Sequence, residues 1–402
     1  MSSTNCLHKT TGNLFKFSDV REVVRQIAPG DMLAFCYVHS GFDPLFEVFS
    51  EFKWSYNVDI FILSILRYVE EYIFHLDRAV ENVEGNFLIT QMAPIYAKCF
   101  KKDNVDVLPL PISDVLGYFN EMTMRRKVWL FCEMGTPNEE GFCNTGYSAP
   151  FPLSLYEKCE VVGLINDIMP TTYGDTSIHE TVPKYFIQIP SKLPLYPKPI
   201  STEVTDKIGS LVAELIVDGS TIQLGVGSII TSIIGALSTK KQLHFSGGFL
   251  PEDVRILIEK NVVTDACGCN ATGAYSKEFY KWLDTNRSVE VKSSDYSHSI
   301  LAAAQEHMFT SITSAISVDL LGQVVSETIG TSQISGIGGG LDFSRAAHMG
   351  TGKSIVVMAS TFGEIHNSKI IPAIGNGNVV SLTRHDVDYV VTEYGIAELR
   401  YR

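Results

Sequence analysis

Two stretches of this sequence combine glycine-rich backbone with a following helical pattern, and both are built to hold an anion. In Gln223-Leu224-Gly225-Val226-Gly227-Ser228, an apolar run ends in G-x-G and an amphipathic pattern follows. Glycine lets backbone N–H groups approach a ligand closely, and a helix N-terminus attracts negative charge. The full dinucleotide fingerprint is absent, because position 230 is Ile rather than Gly. In Ser335-Gly336-Ile337-Gly338-Gly339-Gly340-Leu341-Asp342-Phe343 the exposed amides could serve an oxyanion or a phosphate. A tight turn or a plain surface loop is the competing reading for each. Two further segments carry polar chemistry. One runs Asn166-Asp167-Ile168-Met169-Pro170 and then Gly174-Asp175-Thr176-Ser177-Ile178-His179. The other is Thr383-Arg384-His385-Asp386 followed by Asp388-Tyr389-Val390-Val391-Thr392-Glu393-Tyr394-Gly395. Arg384 is suited to a phosphate or carboxylate.

The elements that must position these segments alternate in type. VWLFCEM after Lys127, EVVGLIND from Glu160, STIQLGVG from Ser220, KQLHFS from Lys241, GKSIVVMAS from Gly352, NVVSLT from Asn378 and DYVVTEYG from Asp388 read as short strands. SIITSIIGALS from Ser228 reads as a helix. PEDVRILIEKN reads as a second helix, with Pro251 at its start and acids in its first turn. Strands alternating with helices predict an α/β fold with mostly parallel sheets. Five prolines, at 183, 190, 194, 197 and 199, mark an extended connection. The expected organisation is an N-terminal α/β domain over 1–189, a Pro-rich linker over 190–201, and a C-terminal α/β domain over 202–402 carrying the glycine loops.

Composition excludes several classes. The chain has 402 residues, 45% of them apolar and 19% charged, an ordinary globular balance. With 32 Lys and Arg against 45 Asp and Glu, the net charge is −13, which disfavours nucleic acid as a partner. The first fifteen residues have no apolar core of a secretory signal. The runs Val58–Leu66 and Ile222–Leu237 fall short of the roughly 20 apolar residues of a membrane span. Eight cysteines, at 6, 36, 99, 132, 143, 159, 267 and 269, form no C-x-x-C pair, so no metal site is expected and reduced thiols are. Together these predict a cytoplasmic protein with no membrane partner.

The four segments, in this order, resemble the acetyl-CoA hydrolase/transferase family, which includes 4-hydroxybutyrate, butyrate and succinate:acetate CoA-transferases. Thr136-Pro137-Asn138-Glu139-Glu140-Gly141-Phe142-Cys143, Ile312-Thr313-Ser314-Ala315 and Val318-Asp319-Leu320-Leu321-Gly322-Gln323-Val324 add to the match. The resemblance is diffuse before about residue 85, strong from about residue 130, and most specific over 335–400. It implies two tandem CoA-transferase-type α/β domains with the active site between them, and a homodimer. It implies a CoA thioester as substrate with no tightly bound cofactor, and a small carboxylic acid or acyl carrier as its partner. In such enzymes a glutamate attacks the thioester and passes through an anhydride to a glutamyl–CoA thioester, which is covalent catalysis in two easier steps. By the same resemblance, Gln223, Gly225, Val226 and Gly227 fall on the CoA side, and Gly338 and Gly339 on the oxyanion side.

The departures from the family pattern carry the prediction. The glutamate position, in a His-Thr-Glu-like turn, aligns without gaps with Ser246-Gly247-Gly248, so Gly248 stands where the nucleophile is expected. Ile230 replaces a proline and Gly340 a glutamine. The loop after Gly30-Asp31 is the bulky Phe35-Cys36-Tyr37-Val38-His39-Ser40. Members usually continue beyond the equivalent of Arg402 with a further helix. Glycine forms neither anhydride nor thioester. The expected activity is therefore acyl transfer, hydrolysis or decarboxylation of an acyl-CoA, with His244, Ser246, Cys36 and His39 as candidate groups. Citrate lyase α and a glutaconyl-CoA decarboxylase subunit pair resemble this fold without the usual glutamate. Two alternatives stand beside this reading: a conventional carboxylate CoA-transferase using Glu252, four residues further on, and a non-catalytic acyl-CoA binder or partner subunit.

Overall fold

A computed structural model describes residues 8–10, 13–15, 17–39, 42–52, 57–65, 85–90, 105–363, 367–375 and 377–401. Most of the first fifteen residues, Ser40 and Leu66 lie outside this set.

Among the described residues, seven parallel strands form the N-terminal sheet. Their order is Tyr185–Gln188, Glu160–Ile165, Val128–Met134, Met32–Val38, Asp59–Ile65, Phe87–Ile89 and Val105–Val107. The central strands Met32–Val38 and Val128–Met134 are buried at every position. Both are unbroken apolar runs rather than alternating ones, as parallel strands covered on both faces are. Residues 35–38, expected as part of a bulky loop, lie within the first of them, because an all-apolar run is buried best in the middle of a covered sheet.

The second sheet runs Tyr173–Gly174, Val289–Val291, Val263–Cys269, Leu243–Phe245, Thr221–Leu224, Thr310–Ser314, Lys353–Val357 and Tyr389–Thr392, all parallel. Gly395–Glu398 closes the edge antiparallel. The edge strand Tyr173–Gly174 comes from ahead of the proline cluster, so the first half lends a strand to the second sheet. The helix Ser228–Ala236 forms as its pattern predicts. The PEDVRILIEKN segment differs at its start: Pro251 ends a short strand, Phe249–Pro251, paired with Ala271–Gly273, and the helix begins at Val254. NVVSLT forms no strand. It makes a single bridge, between Leu382 and the edge of Val324 opposite Val318.

The proline-rich connection is extended but packed. Leu195 bridges to Ala274, the Lys192 carbonyl accepts from Asn166 Nδ2, and the Pro194 carbonyl accepts from Tyr280 OH. One apolar cluster runs through both halves, from Leu130 and Phe151 to Ile222, Phe245 and Ile312. The halves therefore share a core. That burial, at roughly 25 cal/mol per Å², fixes one against the other.

Candidate active site

Three loops meet at the carboxyl ends of the parallel strands of the second sheet, where open α/β sheets bind their ligands. The strand Thr221–Leu224 runs into Gly225-Val226-Gly227. Gly227, at φ 111°, takes a conformation that suits glycine and opens the helix Ser228–Ala236. The adjacent strand Leu243–Phe245 runs into Ser246-Gly247-Gly248. The third loop, Ser335–Gly339, opens the helix Gly340–Met349.

This third loop is tied to the first half of the chain. Gly338 bridges to Pro111, and its carbonyl accepts from Ile112 N at 3.1 Å. Buried Asp342, in the first turn of the following helix, accepts from Ser113 Oγ at 2.7 Å and Ser113 N at 3.2 Å. Burial pushes its carboxyl up to about 6.

Gly248 and Gly339 face each other across one side chain, the imidazole of His298. A Cβ on Gly248 would lie 2.5 Å from His298 Nε2 and 2.9 Å from its Cε1. A Cβ on Gly339 would lie 2.7 Å from His298 Cδ2 and 2.8 Å from Nε2. The ring is 2% exposed, packs on Phe343 at a centroid distance of 5.0 Å, and shares a 3.0 Å hydrogen bond between Nδ1 and Ser297 Oγ. Among the described residues Nε2 has no hydrogen-bond partner. Burial holds the imidazole down to about 3, so it is neutral at physiological pH.

The other predicted residues have different surroundings. Gln223 is buried, with its Cγ against Gly247 and its Oε1 unpartnered among the described residues. Ser246 is buried on the same turn as Gly248. His244 sits two residues before Ser246, partly exposed, with Nδ1 3.0 Å from Asp265 Oδ2 in the neighbouring strand. The Glu252 carboxylate is turned onto the start of the helix Lys277–Thr285. There it accepts from Tyr275 N at 2.5 Å, Ser276 N at 2.9 Å and Ser276 Oγ at 2.7 Å. Val226 is exposed on its loop.

Cys36 and His39 belong to the first half. Burial, reinforced by neighbouring Cys132, pushes the Cys36 thiol well up, so it is not a thiolate at neutral pH. His39 is fully buried, with Nε2 2.5 Å from Glu133 Oε2. Glu133 also accepts from Tyr147 OH at 2.6 Å and Asn166 Nδ2 at 2.7 Å. A separate contact ties this region to the second half through Asn270. Its Oδ1 accepts from Tyr37 OH at 2.5 Å, and its backbone N–H donates to the Gly248 carbonyl at 3.2 Å. The structure thus gathers Gly248 and Gly339 around His298, with Ser246 on the same turn as Gly248 and Gln223 against Gly247. It gives His244, His39, Cys36 and Glu252 separate partners. A cavity of about 540 Å³ opens beside the linker, lined by Met169, Leu193, Tyr280 and three lysines, Lys192, Lys277 and Lys281.

Residues 276–402 match the model of the acetyl-CoA hydrolase/transferase C-terminal domain. Over 304 residues the chain is 34% identical to the 4-hydroxybutyrate coenzyme A transferase of Clostridium kluyveri, covering 73% of this chain and 71% of that protein. The chain belongs to the acetyl-CoA hydrolase/transferase family. Its fold agrees with solved structures of low identity. RipA from Yersinia pestis superposes with a TM-score of 0.84 at 20% identity, covering 96% of this chain and 91% of RipA. The 4-hydroxybutyrate CoA-transferase of Porphyromonas gingivalis superposes with 0.73 at 24% identity, covering 95% and 89%. As a CoA-transferase family member the chain acts on CoA thioesters, and its glycine loops occupy the carboxyl ends of the strands. Sequence reasoning missed His298, Glu133, Tyr147 and Asn270, while Asn166 opens one of the polar segments it singled out. The one signal for His298 was negative: a glycine where a large side chain is expected leaves a space that some residue must fill.

Proposed function

We propose that this chain converts an acyl-CoA without forming a glutamyl–CoA thioester, by hydrolysis, acyl transfer or decarboxylation. The observation that carries this reading is the fate of the carboxylates. Gly248 stands at the expected nucleophile position, and the nearest acidic side chain that could replace it, Glu252, already accepts three hydrogen bonds at the start of another helix. Freeing that carboxylate would leave the Tyr275 and Ser276 donors unpaired, at about 1–3 kcal/mol for each one buried.

Each of the three reactions places negative charge on the thioester oxygen in its transition state, and fixed donors aimed there are what such sites supply. In hydrolysis, water oxygen adds to the thioester carbon, the C–S bond breaks, and the departing thiolate takes a proton from water. The products are the carboxylic acid and free CoA. We assign the amides around Gly225, Gly227, Gly338 and Gly339 to the thioester side, and Lys192, Lys277 and Lys281 to the CoA phosphates. A homodimer and a cytoplasmic location belong to the same reading.

The test incubates a panel of acyl-CoAs with and without acetate and identifies products by mass spectrometry, for wild type and Glu252→Gln. Free CoA with a new acid, ester or decarboxylated thioester, equal in both proteins, is expected. CoA transfer to acetate that stops in Glu252→Gln would return Glu252 as the nucleophile. Binding of acyl-CoA with no product would make the chain a binder.

A further inference from the structure

We infer that the His298 imidazole is the group that meets the thioester, donating its Nε2–H to the carbonyl oxygen from the space a catalytic side chain at position 248 would otherwise fill. The inference rests on the proposed acyl-CoA chemistry and adds the residue that performs it.

The geometry makes the exchange mutual. His298 Nε2 lies 2.5 Å from the site of a Cβ on Gly248 and 2.8 Å from that of a Cβ on Gly339. No glutamate fits at 248 while the ring is there, and no ring fits while 248 or 339 carries a side chain. Both glycines are half-buried, so solvent and ligand reach the rim of the ring, although the ring itself is 2% exposed. The ring is held by Phe343 on one face and by Ser297 Oγ at Nδ1.

Nε2 makes no hydrogen bond to the described residues, so its bonding capacity is left for a solvent or ligand atom at the rim of the ring. We assign the Ser297 hydroxyl as the donor to Nδ1, which puts the ring proton on Nε2 and makes Nε2 a donor. Burial that disfavours the imidazolium keeps the ring neutral. A neutral imidazole is a weak base but an effective donor to a developing oxyanion, since it adds no charge that must be solvated beforehand. The same donor serves water addition and loss of CO₂ alike, because both load negative charge on that oxygen. Gln223 packs its Cγ against Gly247, next to Gly248, and its buried Oε1 has no partner among the described residues.

The test binds acetyl-CoA labelled with ¹³C at the carbonyl and records the thioester carbonyl band by isotope-edited infrared spectroscopy. In wild type the band shifts to lower frequency than in free acetyl-CoA. In His298→Ala the shift is lost while CoA still binds, and turnover of the acyl-CoA found active falls about 10²- to 10³-fold, as when one oxyanion donor is removed. Ser297→Ala keeps the ring and removes only the group that sets its tautomer, so part of the shift is lost. If His298→Ala does not fold, this variant decides alone. An unchanged band in the variant that folds overturns the role of His298. A CoA adduct on Glu252 in wild type instead overturns the functional reading beneath it, and absence of acetyl-CoA binding to wild type overturns both.

Discussion

Replacing Gly248 by alanine is the smallest change that tests whether His298 fills the missing side chain's space. The new methyl carbon would sit 2.5 Å from His298 Nε2, against a contact distance of about 3.5 Å, so roughly 1 Å must be found. The ring has little room to give it. Phe343 lies against one face, Gly339 leaves no gap beyond Cδ2, and the Ser297 bond holds the other edge. Overpacking of this kind costs about 1–3 kcal/mol. A double-mutant cycle with His298→Ala isolates the cause. His298→Ala destabilises on its own, through the cavity it leaves. In that background Gly248→Ala meets only Phe343 Cε2 at 3.5 Å, an ordinary contact, and its cost falls below about 0.5 kcal/mol. The assay is thermal and urea unfolding of the four proteins. A coupling energy of about 1–3 kcal/mol, with the ring's removal rescuing the methyl, is expected. A Gly248→Ala cost that is near zero, or unchanged without the ring, would refute the packing argument.

Three further outcomes follow from the same geometry. Glu252→Gln lowers stability by about 1–2 kcal/mol, since the charge-assisted bonds to Tyr275 and Ser276 weaken, yet leaves turnover of the active acyl-CoA within about twofold; urea unfolding and steady-state kinetics check the two halves. The Asp342 carboxyl is raised from about 3.8 to about 6 by burial, so the native state holds a proton that the unfolded chain has lost. Stability therefore falls as pH rises from about 4 to about 6, by up to about 3 kcal/mol, and Asp342→Asn flattens that slope in unfolding curves taken across the window. Lys277→Glu combined with Lys281→Glu weakens CoA binding about tenfold by calorimetry, less at high salt; an unchanged Kd would remove that cavity from the path of CoA.

Part of the fold was legible in the sequence because parallel strands buried on both faces leave long apolar runs, as in Val128–Met134; residues 35–38, expected as a loop, instead belong to the central strand Met32–Val38. The glycine loops were legible too, since their backbone demands are local. What was not legible depends on topology. His298 lies 50 residues beyond Gly248, on no recognisable motif, and only the order of strands Leu243–Phe245, Val263–Cys269 and Val289–Val291 brings its helix back to that turn. The short strand Phe249–Pro251 turns Glu252 toward another helix, a consequence of pairing with Ala271–Gly273 that neighbouring residues do not announce. NVVSLT has strand-forming residues, yet only Leu382 pairs, bridging to the two-residue strand at Val324. The Glu133 network draws on His39, Tyr147 and Asn166, and Tyr37 bonds to Asn270 over two hundred positions away, pairings that only tertiary contact makes.

The central claim, thioester chemistry without a glutamyl–CoA intermediate, is tested most directly by isotope exchange. Acetyl-CoA is incubated with the protein and ¹³C-acetate, and the acetyl-CoA is then weighed by mass spectrometry. A conventional CoA-transferase passes CoA to the labelled acetate and returns labelled acetyl-CoA. For this chain we predict that no label enters acetyl-CoA, whether or not the thioester is consumed. Label incorporation that disappears in Glu252→Gln would contradict the account and make Glu252 the nucleophile after all.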